Sequence, residues 1–288
     1  MDLVALGVPF DLGATNRAGA REGPRAIREQ TALAGLLPPH YPWSYTLTER
    51  FRIADYGDVA PLPGTDAVQF MLRATEAAAG EVLSAGASLL TLGGDHTVSY
   101  GPLRAAAERF GPVALVHVDA HQDSCDPEDF PQFPIVNHGT FAGELAREGG
   151  IDLSRSTQVY VRTRMLQPGA GDYAIVDAEQ ALEMGPRALA RTVVRRAGEG
   201  PVYLSFDIDA VDPAYAPGTG TPVPGGPTSA DVRRFLRGLG GLDIVAGDLV
   251  EVNPAYDPAG ITSLLAAHLA IDMLYLMGAA RTGRAARA

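Results

Sequence analysis

Eight short apolar runs, separated by longer Ala-rich stretches, are spread along the whole 288-residue chain. The runs are residues 3–8, 51–57, 88–94, 113–119, 158–163, 174–177, 202–209 and 244–252. Several are apolar on both faces, as expected of strands that helices cover on both sides. Helix-like stretches lie between them, at about 66–86, 97–110, 139–149, 186–197, 229–238 and 262–278. The alternation predicts one α/β domain over residues 1–288, with a largely parallel central sheet in a three-layer α-β-α arrangement.

The charge balance and the cysteine count argue against several classes of function. The chain has 23 basic residues, all of them Arg, against 34 acidic ones, which gives a net charge of −11. An acidic chain without a long basic run is a poor candidate for binding nucleic acid or an anionic membrane surface. Its field would instead favour small cations. The single cysteine, Cys125, allows neither an intrachain disulfide nor a Cys-rich zinc site.

Neither terminal region of the sequence resembles a membrane segment or a signal peptide. The N-terminal residues MDLVALGVPF carry an acid at position 2 and no basic region, unlike a signal peptide. The longest apolar stretch, residues 261–280, is interrupted by His268 and Asp272, which predicts a buried helix rather than a membrane span. We therefore expect a soluble, cytoplasmic protein.

Acidic residues and histidines follow the predicted strands at the points where active sites of parallel sheets form. Three of the apolar runs end in such residues, which are His96, Asp119, His121, Asp123, Asp207 and Asp209. A fourth run ends in Glu251. Carboxylates are costly to bury beside apolar strands unless cations offset their charge. The pattern therefore predicts a metal site at this end of the sheet.

The residue types in this group indicate which metals would suit it. Asp119, His121 and Asp123 are spaced i, i+2 and i+4, so that in an extended chain their side chains point to one face. Four carboxylates and two imidazoles without a thiolate suit Mn²⁺ better than a structural Zn²⁺ site, and they are enough for one or two ions. Each residue alone has an ordinary structural explanation, such as a helix cap or a buried histidine, and only the joint pattern favours a metal site.

Three of these segments resemble the signature motifs of the ureohydrolases, the family that includes arginase and agmatinase. They are residues 93–97 (GGDHT), 119–123 (DAHQD) and 205–213 (SFDIDAVDP). Residues 217–222 and 251–254 also match, and residues 7–11 and 16–24 are similar to the agmatinase branch. The resemblance extends over nearly the whole chain. It implies an arginase/deacetylase-like fold and the hydrolysis of a guanidino compound to urea and an amine.

The resemblance also implies a binuclear manganese centre. One ion would be held by His96, Asp119, Asp123 and Asp207, and the other by Asp119, His121, Asp207 and Asp209. Asp119 and Asp207 would bridge the two ions. A water between the metals would be ionised to hydroxide near neutral pH and would attack the guanidinium carbon, and Asp123 would orient it. Ni²⁺, Co²⁺ and Zn²⁺ are open alternatives to Mn²⁺.

Two further residues match functional positions of the family, and their neighbour Asn137 is a third candidate. His138 corresponds to the proton-shuttle histidine, although a histidine before a glycine is more often a loop or cap residue. Glu251 corresponds to the carboxylate that grips the guanidinium through two parallel hydrogen bonds. Asn137, beside His138, is expected to contact the substrate. Structural roles, rather than metal ligation, are expected for His40, His117 and His268.

Departures from the family pattern bear on the choice of substrate. Cys125 stands where arginases place Asn and where agmatinases usually have an aromatic residue. Two acids of an arginase segment are replaced here by Gln167 and Ala170, which argues against arginase itself. Arg162 and Arg164 point the same way along a predicted strand, where they could meet a substrate carboxylate or pair with surface or interface acids.

The segment that follows the metal motif is acidic. Residues 124–134 contain Asp126, Glu128 and Asp129 and no basic residue, so a rim formed by them would favour a substrate with a second positive charge. The same acids could also be merely solvated.

We therefore expect an agmatinase-like ureohydrolase that converts agmatine to putrescine and urea, a step of polyamine biosynthesis. One alternative substrate class is a guanidino acid, such as guanidinobutyrate, guanidinopropionate or arginine. A mononuclear-zinc deacetylase of the same architecture and a non-catalytic, metal-stabilised binding protein are weaker alternatives, because the paired aspartates favour two metals and all six ligands are present. By resemblance to the family, we expect a homo-oligomer, either a trimer or a hexamer.

Overall fold

An eight-stranded sheet forms the middle layer of the molecule. The structure is a computed structural model, and it describes residues 1–34, 39–59, 64, 66–129, 131–163 and 173–287. The strands are β1 (Leu3–Val8), β2 (Ile53–Asp58), β3 (Ser88–Gly93), β4 (Ala114–Val118), β5 (Thr157–Val161), β6 (Ala174–Asp177), β7 (Pro201–Asp207) and β8 (Asp243–Val250). Their order across the sheet is β2-β1-β3-β8-β7-β4-β5-β6. Every neighbouring pair is parallel, which confirms the predicted sheet.

Nine α-helices occur in the described part of the chain. They are α1 (Gly23–Ala34), α2 (Leu47–Arg50), α3 (Ala67–Ser84), α4 (Tyr100–Phe110), α5 (Phe141–Arg147), α6 (Ala178–Met184), α7 (Pro186–Ala197), α8 (Ser229–Arg237) and α9 (Ile261–Arg287). Short 3-10 helices occupy Ala20–Glu22, His96–Ser99, Pro127–Asp129, Ile208–Ala210, Pro254–Tyr256 and Pro258–Gly260. Two of these, His96–Ser99 and Ile208–Ala210, directly follow strand ends that carry candidate ligands.

The sheet separates two hydrophobic cores, one on each face. Successive residues of β3 point to opposite faces, so Leu89 packs with α3, α4 and α5, while Leu90 belongs to the core formed with α1, α7, α8 and α9. The central strands β3, β4, β5 and β8 are almost entirely buried, whereas the edge strands β2 and β6 are half-exposed. This is the predicted three-layer α-β-α architecture.

The last helix packs inside the protein. Residues 258–284 are long and apolar enough to cross a membrane by length and composition alone, but 67% of that apolar window is buried within the molecule. The polar interruption at Asp272 contacts α8, since its carboxylate accepts hydrogen bonds from Arg233 at 3.0 Å and from Arg237 at 3.2 Å. A third partner is Trp43, whose indole nitrogen donates to Asp272 Oδ1 at 2.8 Å. The helix is a core element, as expected from the sequence.

The helices differ from the sequence prediction more than the strands do. The helix expected at 97–110 begins as a 3-10 turn, and the last helix continues to Arg287. Helices α1, α2 and α6 were not predicted. Helix α6 follows β6 without a loop, because Asp177 ends the strand and also caps the helix, its Oδ1 accepting from Gln180 N at 2.8 Å.

Two adjacent glycines let the end of β3 approach its neighbours closely. A Cβ on Gly94 would lie 1.7 Å from the carbonyl oxygen of Phe10, and a Cβ on Gly93 would lie 2.5 Å from the side chain of Val250. The backbone nitrogen of Asp95 also donates to Phe10 O at 2.8 Å. The Gly-Gly pair therefore brings the N-terminal loop against the strand end that carries His96.

Replacing Gly94 by Ala should destabilise the fold, because its methyl group would meet backbone rather than a movable side chain. We expect a loss of about 1–3 kcal/mol in the free energy of unfolding, measured by denaturant titration. Gly80→Ala is the matched control, since it lies inside α3 with no atom within 4 Å of the added Cβ. It should stabilise by about 0.5–1 kcal/mol. Equal effects of the two changes would contradict the close approach at Gly94.

Candidate metal centre and active site

The four central strands lie side by side in the order β3, β8, β7 and β4. Because they are parallel, their carboxyl ends meet at the same edge of the sheet. The structure brings together there all six residues predicted as ligands: His96 after β3, Asp119, His121 and Asp123 after β4, and Asp207 and Asp209 at the end of β7. All are buried except His121, whose side chain is 27% exposed. The sequence pattern therefore predicted a real spatial cluster.

His96 lies at the centre of the first group. Its Nδ1 is 3.1 Å from Asp119 Oδ2, 2.9 Å from Asp123 Oδ2 and 3.2 Å from Asp207 Oδ2. None of these oxygens lies in the direction that a hydrogen bond requires, so this buried nitrogen has no hydrogen bond among the described residues. An imidazole nitrogen surrounded by carboxylate oxygens is a suitable donor set for a divalent cation. The residues present thus fit a metal at this position.

A second group shares one carboxylate with the first. His121 Nδ1 lies 3.0 Å from Asp209 Oδ2 and 3.4 Å from Asp119 Oδ1. The potential ligand atoms of these three residues are all within 4.8 Å of one another. Asp119 presents one oxygen to each group, which is the arrangement that a bridging carboxylate needs.

Hydrogen bonds from nearby groups hold the buried carboxylates in place. Asp119 Oδ1 accepts from the backbone nitrogen of His121 at 2.6 Å, and Asp207 Oδ1 accepts from that of Asp209 at 2.7 Å. Asp209 Oδ1 accepts from Ala120 N at 3.2 Å. The turns after β4 and β7 thus orient Asp119 and Asp207 from within, while Ala120 after β4 holds Asp209 after β7 and links the two turns.

The electrostatics of the cluster favour positive charge. Burial opposes the charged form of His121, but the carboxylates of Asp209 and Asp119 outweigh it and raise the pKa of His121 to about 12. At His96, burial is likewise outweighed by Asp119, Asp123 and Asp207, and its pKa lies well above its usual range. The surrounding carboxylates therefore stabilise positive charge at both imidazoles. A metal cation could supply that positive charge, and any proton on a ligand nitrogen would have to leave when the metal binds.

His138 and Glu251 lie beside the first group. His138 Nδ1 is 3.0 Å from Glu251 Oε1, and the same oxygen accepts from the backbone nitrogen of His96 at 3.0 Å. On the other side of the ring, His138 Nε2 accepts from Thr15 N at 3.1 Å and lies 2.7 Å from Thr15 Oγ1. Because a backbone N–H can only donate, this geometry belongs to the neutral ring with its proton on Nδ1.

The loop that carries Thr15 is tied to the strand end. Gly13 N donates to Asp95 Oδ2 at 2.7 Å, and Asp95 Oδ1 accepts from Thr97 N at 3.0 Å. Further along the loop, Asp11 Oδ2 accepts from Gly19 N at 2.7 Å. The contact between Thr15 and His138 is thus supported at both ends of the loop.

A cavity of about 230 Å³ opens onto the cluster, and its walls include His121, Asp123 and Asp207. Apart from these three residues and His138, the described residues that line it are uncharged. Asn137 is one of them, but its side chain is held within its own turn. Its amide nitrogen donates to Pro134 O at 2.8 Å, and its Oδ1 accepts from Gly139 N at 2.9 Å. Asn137 therefore shapes the wall beside His138.

Arg162 does not reach this cavity. Its guanidinium donates to the carbonyl oxygens of Asp209 at 2.7 Å, Ala210 at 3.0 Å and Val223 at 2.8 Å. The structure thus places Arg162 against backbone and not in an ion pair with an acid of the described residues, because the turn after β7 leaves carbonyl groups that need a donor. Arg164, the other predicted contact, lies outside the described residues.

The expected acidic rim is partly neutralised. Asp126 Oδ1 accepts from Arg147 at 2.7 Å, and Arg147 also pairs with Glu144. Arg147 comes from α5, which follows the segment in sequence and folds back toward it. The rim therefore has less net negative charge than its sequence suggests.

Sequence reasoning missed the polar residues beneath the cluster. His117, expected to be structural, lies with its Nε2 2.9 Å from Asp119 Oδ2. Ser205 Oγ is 2.7 Å from His96 Nε2 and donates to Asp248 Oδ1 at 2.7 Å. Ser205 begins the 205–213 motif, but its role under His96 was not foreseen, and His117 was marked only as a polar side chain inside an apolar strand. By contrast, His40 and His268 contact each other at 3.3 Å, apart from the cluster.

Comparisons with known proteins agree with this geometry. A sequence model of the Arginase family matches residues 1–275. An agmatinase from Salmonella dublin is 43% identical over 278 residues, which cover 96% of this chain and 88% of that protein. The crystal structure of a hypothetical agmatinase from Burkholderia thailandensis is 40% identical and superposes with a TM-score of 0.90, covering 98% of this chain and 87% of the other.

A third relative has a different name. Proclavaminate amidino hydrolase from Streptomyces clavuligerus is 36% identical, with a TM-score of 0.85 over 97% of this chain and 92% of the other. These matches, the parallel sheet and the His/Asp cluster show that the chain belongs to the arginase family. It is a ureohydrolase, and its buried cluster fits a divalent metal site.

The placement of Arg162 predicts a structural phenotype. Arg162→Leu would leave several carbonyl groups without their donor, at about 1–3 kcal/mol for each buried unpaired group. We expect a lower melting temperature and less bound metal, with the same fractional change in kcat/KM for a cationic and for a carboxylate-bearing guanidino compound. Arg191→Leu, at an exposed position of α7, is the control. A selective loss of the carboxylate-bearing substrate would instead indicate direct contact.

Proposed function

We propose that this chain, as one catalytic domain over residues 1–288, hydrolyses agmatine to putrescine and urea at a binuclear manganese centre. The observation that carries the proposal is the buried Nδ1 of His96, which three carboxylate oxygens approach without forming a hydrogen bond. A second imidazole group shares Asp119 with it. The agmatinases among the relatives support the substrate. Cytoplasmic location and a trimeric or hexameric assembly remain predictions.

The cluster supports the proposal of two metal positions. His96, Asp119, Asp123 and Asp207 would hold one ion, and Asp119, His121, Asp207 and Asp209 would hold the other. When bound, such ions supply an acidified water as the nucleophile. Oxygen-rich ligands of this kind suit Mn²⁺, with Ni²⁺, Co²⁺ and Zn²⁺ as alternatives.

The remaining roles belong to side chains around the centre. Asp123, with one oxygen facing His96, would orient the nucleophile. Glu251 already uses Oε1 for His96 N and His138 Nδ1, and its Oε2 accepts no hydrogen bond from the described residues. A planar guanidinium can donate to that free oxygen. Glu251 would therefore hold the substrate next to both the metal ligands and His138.

His138 is suited to pass a proton to the departing amine. Burial opposes its charged form, but the hydrogen bond and charge of Glu251 outweigh it and raise the pKa of His138 to about 9. The hydrogen bond from Thr15 N to Nε2 requires the neutral ring, whereas the raised pKa favours the protonated ring. The ring is therefore placed where both protonation states find partners. Cations bound beside Asp123 would offset the negative charge around the ring and lower this pKa, and a histidine near its pKa both accepts and releases protons.

The cavity favours a substrate tail without a carboxylate. No arginine lines it among the described residues, and its other walls are uncharged. A guanidino acid remains the second candidate, because proclavaminate amidino hydrolase from Streptomyces clavuligerus is a close structural neighbour. Arg164, outside the described residues, is the residue that would support it.

Urea release from a panel of guanidino compounds tests the function. The protein should be loaded with Mn²⁺ and assayed with agmatine, arginine, guanidinobutyrate, guanidinopropionate and guanidine. We expect the highest kcat/KM for agmatine. Asp207→Asn should abolish activity and reduce bound metal, whereas Asp66→Asn, at an exposed position without a cap hydrogen bond, should change neither. A guanidino acid cleaved much faster than agmatine would overturn the substrate, and full metal content in Asp207→Asn would overturn the bridged centre.

Replacing His138 separates proton transfer from metal binding. His138→Asn should retain both metals but slow turnover roughly a hundred-fold, the usual contribution of a positioned acid/base group. Metal content by elemental analysis and kcat with agmatine are the measurements. His40→Asn, remote from the cluster, serves as the control for histidine loss. An unchanged kcat in His138→Asn would assign His138 a structural role.

A further inference from the structure

A buried row of hydrogen-bonded side chains leads from Gln158 through His117 to Asp119, the carboxylate shared by the two groups. His117 on β4 places Nε2 2.9 Å from Asp119 Oδ2, and Gln158 on β5 places its amide nitrogen 3.1 Å from His117 Nδ1. His117, Asp119 and Gln158 are all 0% exposed. The proposed chemistry gives no role to His117 or Gln158. A histidine and a glutamine in the interior need a reason, because buried polar groups are costly.

The carbonyl of Gln122 fixes the direction of these hydrogen bonds. The amide nitrogen of Gln158 lies 2.6 Å from Gln122 O, and a carbonyl can only accept, so this atom is the NH₂ group. Its second N–H points at His117 Nδ1, which must therefore be the accepting nitrogen. His117 then carries its proton on Nε2 and donates it to Asp119.

The hydrogen bond acts on one side of the shared carboxylate. Asp119 Oδ2, the oxygen that His117 contacts, is the one 3.1 Å from His96 Nδ1. Asp119 Oδ1 faces the other way, 3.4 Å from His121 Nδ1, and is held by the backbone nitrogen of His121. Each oxygen therefore has its own donor: the backbone nitrogen of His121 for Oδ1 and, among the described residues, the side chain of His117 for Oδ2.

We propose that His117, held in its Nε2–H form by Gln158, is a positioning residue that orients Asp119 Oδ2 and thereby sets the metal affinity of the position beside His96. The inference rests on the proposed binuclear centre. Donors to metal-binding carboxylates fix their orientation before the ion arrives, and their loss typically costs about 10–100-fold in affinity. The position beside His121 keeps its own backbone donor and should be unaffected.

The alternative is that His117 is itself a ligand. Its ring lies close enough, since potential ligand atoms of His96, His117, Asp119 and Asp123 are within 4.8 Å of one another. Ligation through Nε2 would require a lone pair there, and Gln158 directs the proton to that atom. The protonation of His117 therefore distinguishes a positioning residue from a ligand.

Titration of the metal-free, full-length chain with Mn²⁺ tests the selective effect. Gln158→Leu should weaken one of the two Mn²⁺ positions by about tenfold and leave the other within about twofold. Thr157→Val is the matched control, because its hydroxyl, on the same buried strand, has no hydrogen bond among the described residues. It should bind both ions like the unaltered protein. Equal weakening of both positions, or none, in Gln158→Leu would overturn the proposal.

Two further measurements keep the test independent of folding defects and of the proposed function. His117→Gln, which keeps a donor, should retain more affinity than His117→Phe, and adding Gln158→Leu to His117→Phe should cause no further loss. Additive losses would contradict a chain through His117. Nitrogen NMR of the unaltered metal-free protein should show His117 protonated at Nε2, and a proton on Nδ1 alone would refute the inference. If the unaltered protein binds no Mn²⁺, the binuclear centre fails and this NMR result still decides the state of His117.

Discussion

The burial of several carboxylates at the centre of a parallel sheet is the constraint on which the rest of the molecule depends. Ionised groups in such a place are tolerated only when cations and directed donors compensate for lost hydration. The strand order meets this need, because β3, β8, β7 and β4 are neighbours and deliver imidazoles, carboxylates and backbone N–H groups to one point. The outer strands and both helix layers surround that point, and in the described part of the chain the candidate ligands come from the ends of β3, β4 and β7.

Placing carboxylates at these strand ends strains the backbone at two of them. Asp123 and Glu251 both adopt left-handed conformations, with φ of 47° and 62°, which non-glycine residues rarely occupy. In each case the chain has just left a central strand and turns sharply, so that a carboxylate points back toward the cluster. Strain of this kind persists where surrounding contacts enforce it. Here the enforcing contacts include Glu251 N to Gly94 O at 2.8 Å.

The sequence predicted the sheet and the ligand cluster because both depend on short-range patterns. Apolar runs mark buried strands, and residues that follow a strand end lie at a known edge of the sheet. It did not predict the partners of His117 or Arg162, since Gln158 is 41 residues from His117, and the carbonyl of Val223 is 61 residues from Arg162. Such pairings arise from strand order and loop paths. Helices α1, α2 and α6 were missed because they lack a long apolar repeat or follow a strand without a loop.

Glu251 links the metal ligands to the acid/base group through a single atom. Its Oε1 accepts both the backbone N–H of His96 and the Nδ1 proton of His138. A shift of Glu251 toward a bound guanidinium would therefore change its hydrogen bonds to both His96, a candidate metal ligand, and His138, the proposed proton carrier. Thr15 holds the opposite side of the His138 ring, so the ring can respond mainly through its protonation. If Glu251 holds the substrate as proposed, this geometry couples substrate binding to proton transfer, and we expect a substitution at Glu251 to affect both.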